Sequence, residues 1–209
     1  MRVVGLILAG GQGRRMGGRD KAFLMLGGRP LVGHVLARIA PQLEEVAISA
    51  NGDASRFAPF AVPVLPDACG QMGEGPLAGV LAGLDWARAQ GADMLATVPV
   101  DLPFLPRDLV ARLCAAAAVQ VPPGAAVALC GGRRHPTSAL WPVAMRDGLA
   151  SLFAAGERRM QAALSTAAEV RFDVADRGAD PFENLNTPED LARAEARLAG
   201  EGAGKGASS

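Results

Sequence analysis

The chain has 209 residues, half of them hydrophobic, and its 21 basic and 21 acidic side chains cancel to no formal net charge. That length suits one domain, and the balanced charge argues against a dedicated nucleic-acid binder, which carries a basic excess. No apolar run approaches the ~18 residues of a membrane span, and the first, Val3 to Ala9, is strand-length and runs into glycines, unlike a signal peptide; a soluble cytoplasmic protein is expected.

Short apolar runs alternate with amphipathic helical patterns. Arg2–Leu8 reads as a buried strand, Pro30–Ala40 as a helix with proline in its first turn, Val46–Ala50 as a second strand and Val62–Leu65 as a third. Pro76–Gln90 carries Leu77, Val80, Leu81 and Leu84 at helical spacing, Met94–Val100 is a fourth strand, and Pro106–Ala117 a further helix. This rhythm predicts an α/β fold: a Rossmann-like open, mostly parallel sheet with helices on both faces and ligands beyond the carboxyl ends of its strands. Ala126–Cys130 and Thr137–Trp141, joined through Gly131-Gly132, read as a small antiparallel extension. Met145–Ala155 and Met160–Ala167 read as helices and Glu169–Val174 as a strand. Thr187 caps a last helix, with Pro188 in its first position and acids in its first turn. The expectation is a single domain over 1–199 and a flexible tail over 200–209.

Cys69, Cys114 and Cys130 are widely spaced, form no CxxC pair and are accompanied by only two histidines, His34 and His135. That argues against a structural zinc site and a disulfide scaffold; each cysteine reads as a small buried side chain. His135 reads as a packed histidine without a chemical role.

The sharpest local signal follows the first strand. From Gly10 to Lys21 the chain holds five glycines, three arginines and a lysine. Glycines let backbone N–H groups close on a phosphate and cations neutralise it, a better account than a tight turn with solvated arginines. The loop is not a Walker A loop, because Arg19 follows Gly17-Gly18, and not a dinucleotide fingerprint, because Met16 stands at the third glycine position. Asp101 ends the fourth strand inside the expected crevice, where a carboxylate suits Mg²⁺. Asp67 also ends a strand, though turn chemistry explains it as well. Gly75 and Gly79 flank a helix start where backbone groups, with those of Leu8–Gly10, form a pocket for a base edge. Asn184 and Asn186 alternate on an extended segment and so face one side. Arg133, Arg134, Arg158 and Arg159 form a second cationic set suited to the phosphate of a second substrate, or to a solvated surface.

The loop Leu8-Ala9-Gly10-Gly11…Arg15-Met16-Gly17…Lys21 resembles the signature of the MobA-like nucleotidyltransferases. The resemblance runs from about Val3 to Leu198 through Gly27–Pro30 with His34-Val35, Asn51, Pro66-Asp67, Gly75–Gly79, Pro99-Val100-Asp101, Arg133–Thr137, Ala155–Arg159 and Asn184–Leu191. It implies a fold like the nucleotide-diphospho-sugar transferases and transfer of GMP from GTP to molybdenum-bound molybdopterin with release of pyrophosphate, assisted by Mg²⁺ on Asp101. By the same resemblance Lys21, Arg15 and Asp101 are catalytic; Leu8, Ala9, Gly10, Gly11, Gly13, Lys21, Asn51, Asp67, Gly75, Gly79 and Asp101 hold GTP; Asn184 and Asn186 line the floor of the site and, with the four arginines, meet the second substrate. Molybdoenzymes or other cofactor-assembly proteins are candidate partners. The Gly10-Gly11 pair favours guanine, since cytidylyl relatives tend to carry a second alanine before the glycine. A relative using CTP or another acceptor is one alternative, and a non-catalytic nucleotide-binding regulator another; the presence of Lys21 and Asp101 argues against the latter.

Overall fold

The computed structural model describes residues 1–10, 20–67, 75–174 and 179–205, with side chains through 200. Its centre is a seven-stranded sheet in the order β5-β4-β1-β6-β8-β7-β9, built from β1 (Val3–Leu8), β4 (Val46–Ser49), β5 (Val64–Leu65), β6 (Met94–Pro99), β7 (Ala126–Cys130), β8 (Arg133–Pro142) and β9 (Ala168–Phe172). β1 pairs in parallel with β4 and β6, β4 with β5, and β7 with β9, whereas β8 runs antiparallel to both β6 and β7. One reversed strand therefore joins two parallel groups, and all other carboxyl ends share one edge with the start of β8.

β1, β4, β6 and β7 read as mostly apolar runs because both faces of the sheet are covered there. Successive side chains take opposite sides: Val4, Leu6 and Leu8 of β1 pack with α2 (Pro76–Ala89), α4 (Arg146–Ala154) and α5 (Met160–Ala163). Ile7 packs with α1 (Leu31–Ile39) and α3 (Leu109–Ala118) on the other face. α2 lies close against the sheet because two glycines face it. A Cβ at Gly79 would stand 2.5 Å from the Ser49 hydroxyl, and one at Gly83 would stand 2.5 Å from a Leu6 methyl. Fully buried Trp141 in β8 satisfies its indole N–H on the Thr97 hydroxyl of β6, 3.0 Å away.

Most expected elements are present with shifted ends. α3 starts at Leu109, not Pro106, because Pro106 precedes a turn in which its carbonyl accepts from Leu109 N. The helix expected over Met160–Ala167 closes after one turn at Ala163. β8 begins at Arg133, since the turn Gly131-Gly132 has positive φ at both residues (56° and 75°), the geometry of a two-residue hairpin. The β2–β3 hairpin (Met25–Leu26, Arg29–Pro30) was not expected; it turns on Gly27-Gly28, also both at positive φ. The last helix, α6 (Pro188–Lys205), runs past Gly200, where the tail was expected to begin; 206–209 lie outside the described residues. No described helix is long and apolar enough to cross a membrane.

A segment over 179–187 crosses the carboxyl edge and feeds α6. Phe182 stacks on His135 at 4.6 Å and meets the edge of Phe172 at 5.3 Å. Leu185 enters a small core with Leu24, Leu26, Leu31, Phe104 and Ala194, which seats α6 and the β2–β3 hairpin on one another.

Candidate active site

Asp101 stands just past the carboxyl end of β6, the sheet's fourth strand, with its side chain 11% exposed. Its Oδ2 accepts from Lys21 Nζ at 2.9 Å and its Oδ1 from Asn184 Nδ2 at 3.1 Å. The same ammonium donates to Asn186 Oδ1 at 2.5 Å. Lys21 is held in place by a three-residue 3-10 turn, Lys21–Phe23, that Asp20 caps by accepting from Ala22 N. The asparagines are held by the crossing segment: Leu185 N donates to the Asp101 carbonyl, which anchors the backbone between them. Thr187 and Asp190 form a reciprocal helix cap. Asp190 N donates to Thr187 Oγ1, while the Asp190 carboxylate accepts from Asn186 N at 2.8 Å and Thr187 N at 2.9 Å. The Asn186 N–H, chiefly, holds the Asp190 carboxyl below its usual range. Residues 80 and 165 positions from Lys21 thus converge on one ammonium.

A second cluster lies beyond β4 and β5. Asn51 Nδ2 donates to Asp67 Oδ2 at 2.7 Å and Asn51 Oδ1 accepts from Asp67 N at 3.0 Å, so the two strand-end residues clasp each other. Gly75 opens α2 with φ 97°, a conformation a side chain strains. At the end of β1, Ala9 N donates to the Ser49 carbonyl and the Leu8 carbonyl accepts from Val100 N, so this backbone serves the sheet. Gly10 is exposed, and no described atom lies within 4 Å of where its Cβ would stand. The expected base pocket is corrected at Gly79, which faces Ser49 and Leu8 across the helix–sheet contact, not an open space. Gly11, Gly13 and Arg15 of the phosphate loop lie outside the described residues, as does Cys69.

Three of the four arginines have local structural partners. Arg134 donates to the Leu164 carbonyl and pairs with Glu169 at 3.3 Å. Arg158 donates to the Phe153 carbonyl and lies 3.8 Å over the Phe153 ring. Arg159 pairs with Glu157, and that pairing, first through its side chain, holds the Glu157 carboxyl at about 2. Arg133 is exposed where β8 starts, on the carboxyl edge. Burial, with Asp180 beside it, raises the Cys130 thiol to about 11, which keeps it protonated, and burial raises Cys114 as well. Asp20 and Arg56, both at the site, were not singled out by the sequence: the only local signal was the capping position of Asp20 before Lys21, and Arg56 reads as a loop cation.

A lysine, a carboxylate and two amides converge on the carboxyl edge of an open sheet, and in the sequence that lysine closes a glycine-rich basic segment; this is the pattern of a nucleotidyltransferase. The model of the MobA-like NTP transferase domain matches residues 5–170, and the chain belongs to that family. It is 56% identical over 199 residues to a molybdenum cofactor guanylyltransferase of Cereibacter sphaeroides, covering 95% of this chain and 98% of that one. It is 48% identical over 202 residues to that of Mesorhizobium japonicum, covering 94% and 95%. Among solved structures it superposes on molybdopterin-guanine dinucleotide biosynthesis protein A from Archaeoglobus fulgidus with a TM-score of 0.72, at 24% identity over 94% of this chain and 98% of that one. The 2-C-methyl-D-erythritol 4-phosphate cytidylyltransferase of Thermus thermophilus superposes with a TM-score of 0.70, at 25% identity over 95% and 100%. The fold is therefore that of the nucleotide-diphospho-sugar transferases.

Proposed function

We propose that the chain transfers GMP from GTP to molybdenum-bound molybdopterin, forming molybdopterin guanine dinucleotide and releasing pyrophosphate, in the cytoplasm. The observation that carries this is the Lys21–Asp101 pair at the carboxyl end of β6, in a chain 56% identical to a named guanylyltransferase over nearly its full length. A terminal phosphate oxygen of the acceptor attacks the α-phosphorus of GTP in line; the new P–O bond forms as the bond to the bridging oxygen breaks and its electron pair leaves with pyrophosphate. The attacking phosphate is already an anion, so no general base is needed, and catalysis is positioning and charge stabilisation. Lys21, with Arg15 and the amides of Gly10, Gly11 and Gly13, neutralises the triphosphate and the leaving group. Asn51 and Asp67 bound the nucleoside end and Gly75 opens the helix beside it. In this reading Asn184 and Asn186 contact both substrates, and Arg133, exposed at the start of β8, binds the acceptor phosphate.

Among the described residues no three acids, histidines or cysteines gather as a metal cage. One carboxylate beside two amides fits Mg²⁺, which uses one or two carboxylates and completes its shell from phosphates and water. Asp101 would hold it, and the ion would supply charge neutralisation for the triphosphate.

The experiment is pyrophosphate release with GTP, ATP and CTP, each with and without molybdopterin. Guanine presents N1–H and an exocyclic amine as donors and O6 as acceptor, and each mispaired buried group costs about 1–3 kcal/mol. Two mismatches predict at least ~100-fold preference for GTP. Equal use of the three, or preference for CTP, overturns the guanylyl assignment.

A further inference from the structure

We propose that Arg56 is a positioning residue for Lys21, acting through Asp20, so that the two form a latch between the base half and the phosphate half of the nucleotide site. The proposal rests on the nucleotidyl-transfer reading above.

Arg56 lies on the 3-10 segment Ala54–Phe60 that follows β4. Its Nη2 donates to the Asn51 carbonyl at 2.8 Å, and the same nitrogen stands 3.4 Å from Asp20 Oδ2. Asn51 is the residue whose side chain clasps Asp67. Asp20 is the residue whose other oxygen caps the turn carrying Lys21. One guanidinium nitrogen therefore joins the strand-end pair at the base side to the cap that sets the lysine's backbone.

A second tether lands on the same turn. The Arg56 guanidinium lies 5.0 Å from the centre of the Phe57 ring, and Phe57, 1% exposed, lies 5.0 Å from the ring of Phe23, the last residue of the Lys21–Phe23 turn. Among the described residues the Arg56 Nε has no hydrogen-bond partner, and the guanidinium's polar contacts run from Nη2 to the Asn51 carbonyl and Asp20. The Arg56 and Asp20 side chains are 34% and 28% exposed, so the ion pair is partly screened and its value is orientation more than binding energy.

The test is a double-mutant cycle on steady-state kinetics. Arg56→Gln keeps a donor for the Asn51 carbonyl and loses the charge facing Asp20; Asp20→Asn keeps the capping oxygen and loses the charge facing Arg56. Each single variant lowers kcat about tenfold, below the ~100-fold that an ångström of misplacement can bring. The double variant is no worse than either single, and guanosine, which has no phosphates, binds all four proteins equally. The conservative Arg56→Lys restores most of kcat. Additive losses in the double variant, an equal fall in guanosine affinity, or unchanged kcat in Arg56→Gln overturns the proposal. The wild-type nucleotide panel is run first: a wrong base assignment appears there, and the cycle is then measured with the triphosphate and nucleoside the wild type uses.

Discussion

Removing the Asp101 carboxylate has opposite consequences with and without metal. Lys21 is committed to Asp101 at 2.9 Å and to Asn186, with the ammonium side chain only 18% exposed. A triphosphate entering without metal has to draw Lys21 toward itself and stand beside a bare carboxylate. Two like charges ~5 Å apart repel by roughly 3 kcal/mol at an effective dielectric near 20, and water in an open crevice reduces that to about 1–2 kcal/mol. Asp101→Ala abolishes the repulsion and frees the lysine, so metal-free GTP affinity rises by about five- to thirtyfold. Alanine is the cleaner probe: asparagine would set an amide donor against either Lys21 Nζ or Asn184 Nδ2, both of which already donate to this side chain. The fold survives, because the crossing segment is anchored by Leu185 N on the Asp101 backbone carbonyl, which the substitution keeps. In excess Mg²⁺ the same variant loses turnover by at least ~100-fold, the scale of one preorganised electrostatic element. Calorimetric titration of GTP in chelator, paired with pyrophosphate release in Mg²⁺, reads both signs. Unchanged or weaker metal-free binding would show that Lys21 is not held in competition, and near-normal Mg²⁺-dependent turnover would remove Asp101 from the mechanism.

Gly79→Ala puts a methyl 2.5 Å from the Ser49 hydroxyl and 3.2 Å from a Leu8 methyl; overpacking of this kind costs about 1–3 kcal/mol, and at about 2–4 °C per kcal/mol for a chain of this size the Tm falls by several degrees, whereas an unchanged melt would mean that α2 shifts freely. Arg158→Ala removes the guanidinium from over Phe153 and from its carbonyl; a lower Tm with unchanged GTP and molybdopterin affinities marks a structural arginine, and a selective loss of molybdopterin affinity by calorimetry would return it to the acceptor site. Burial holds His135 below its ordinary 6.5, against the opposing pull of Asp180; the unfolded chain then takes up this proton first, so its contribution to stability is present above about pH 6.5 and is lost as pH falls toward the folded value. Urea midpoints should drop between pH 7.5 and 5.5 in the wild type and less in His135→Gln; parallel curves would refute this.

The parts of the fold legible in the sequence are those whose burial is two-sided. β1 and β6 lie inside the sheet, so Val3–Leu8 and Met94–Pro99 read as mostly apolar runs, with Thr97 the one polar residue. The β2–β3 hairpin was missed because two-residue strands carry no period, although Gly27-Gly28 between Leu26 and Arg29 was an available turn signal. The strand expected over Thr137–Trp141 starts earlier, at Arg133, where Arg133, Arg134 and His135 pair only with β7, past the end of the β6 ladder, and so carry no apolar run. In the site, Lys21, Asp101, Asn184 and Asn186 were nameable from motif and spacing. Their contacts were not, since they bridge up to 165 positions. Gly79 was assigned to the base for lack of a side chain, when the same lack serves close helix packing.

The crossing segment explains why so much of the site depends on the chain's end. It contributes no strand to the sheet, yet Phe182 packs on His135, Asn184 reaches Asp101, Leu185 enters the core under α6, and Asn186 reaches Lys21. Each contact lands on a different element, so the segment's conformation is set by the sheet's carboxyl edge and by the Thr187–Asp190 cap together. A polar side chain on a free loop would pay ordering entropy when substrate arrives; here that entropy is lost on folding, through Phe182 and through Leu185, whose side chain sits in a separate core while its N–H holds the Asp101 carbonyl. Such remote apolar anchoring is what preorganised charge stabilisation requires. It also accounts for the placement of the two asparagines on either side of a buried leucine: alternation turns Leu185 into its core and both amides toward the cation and the carboxylate.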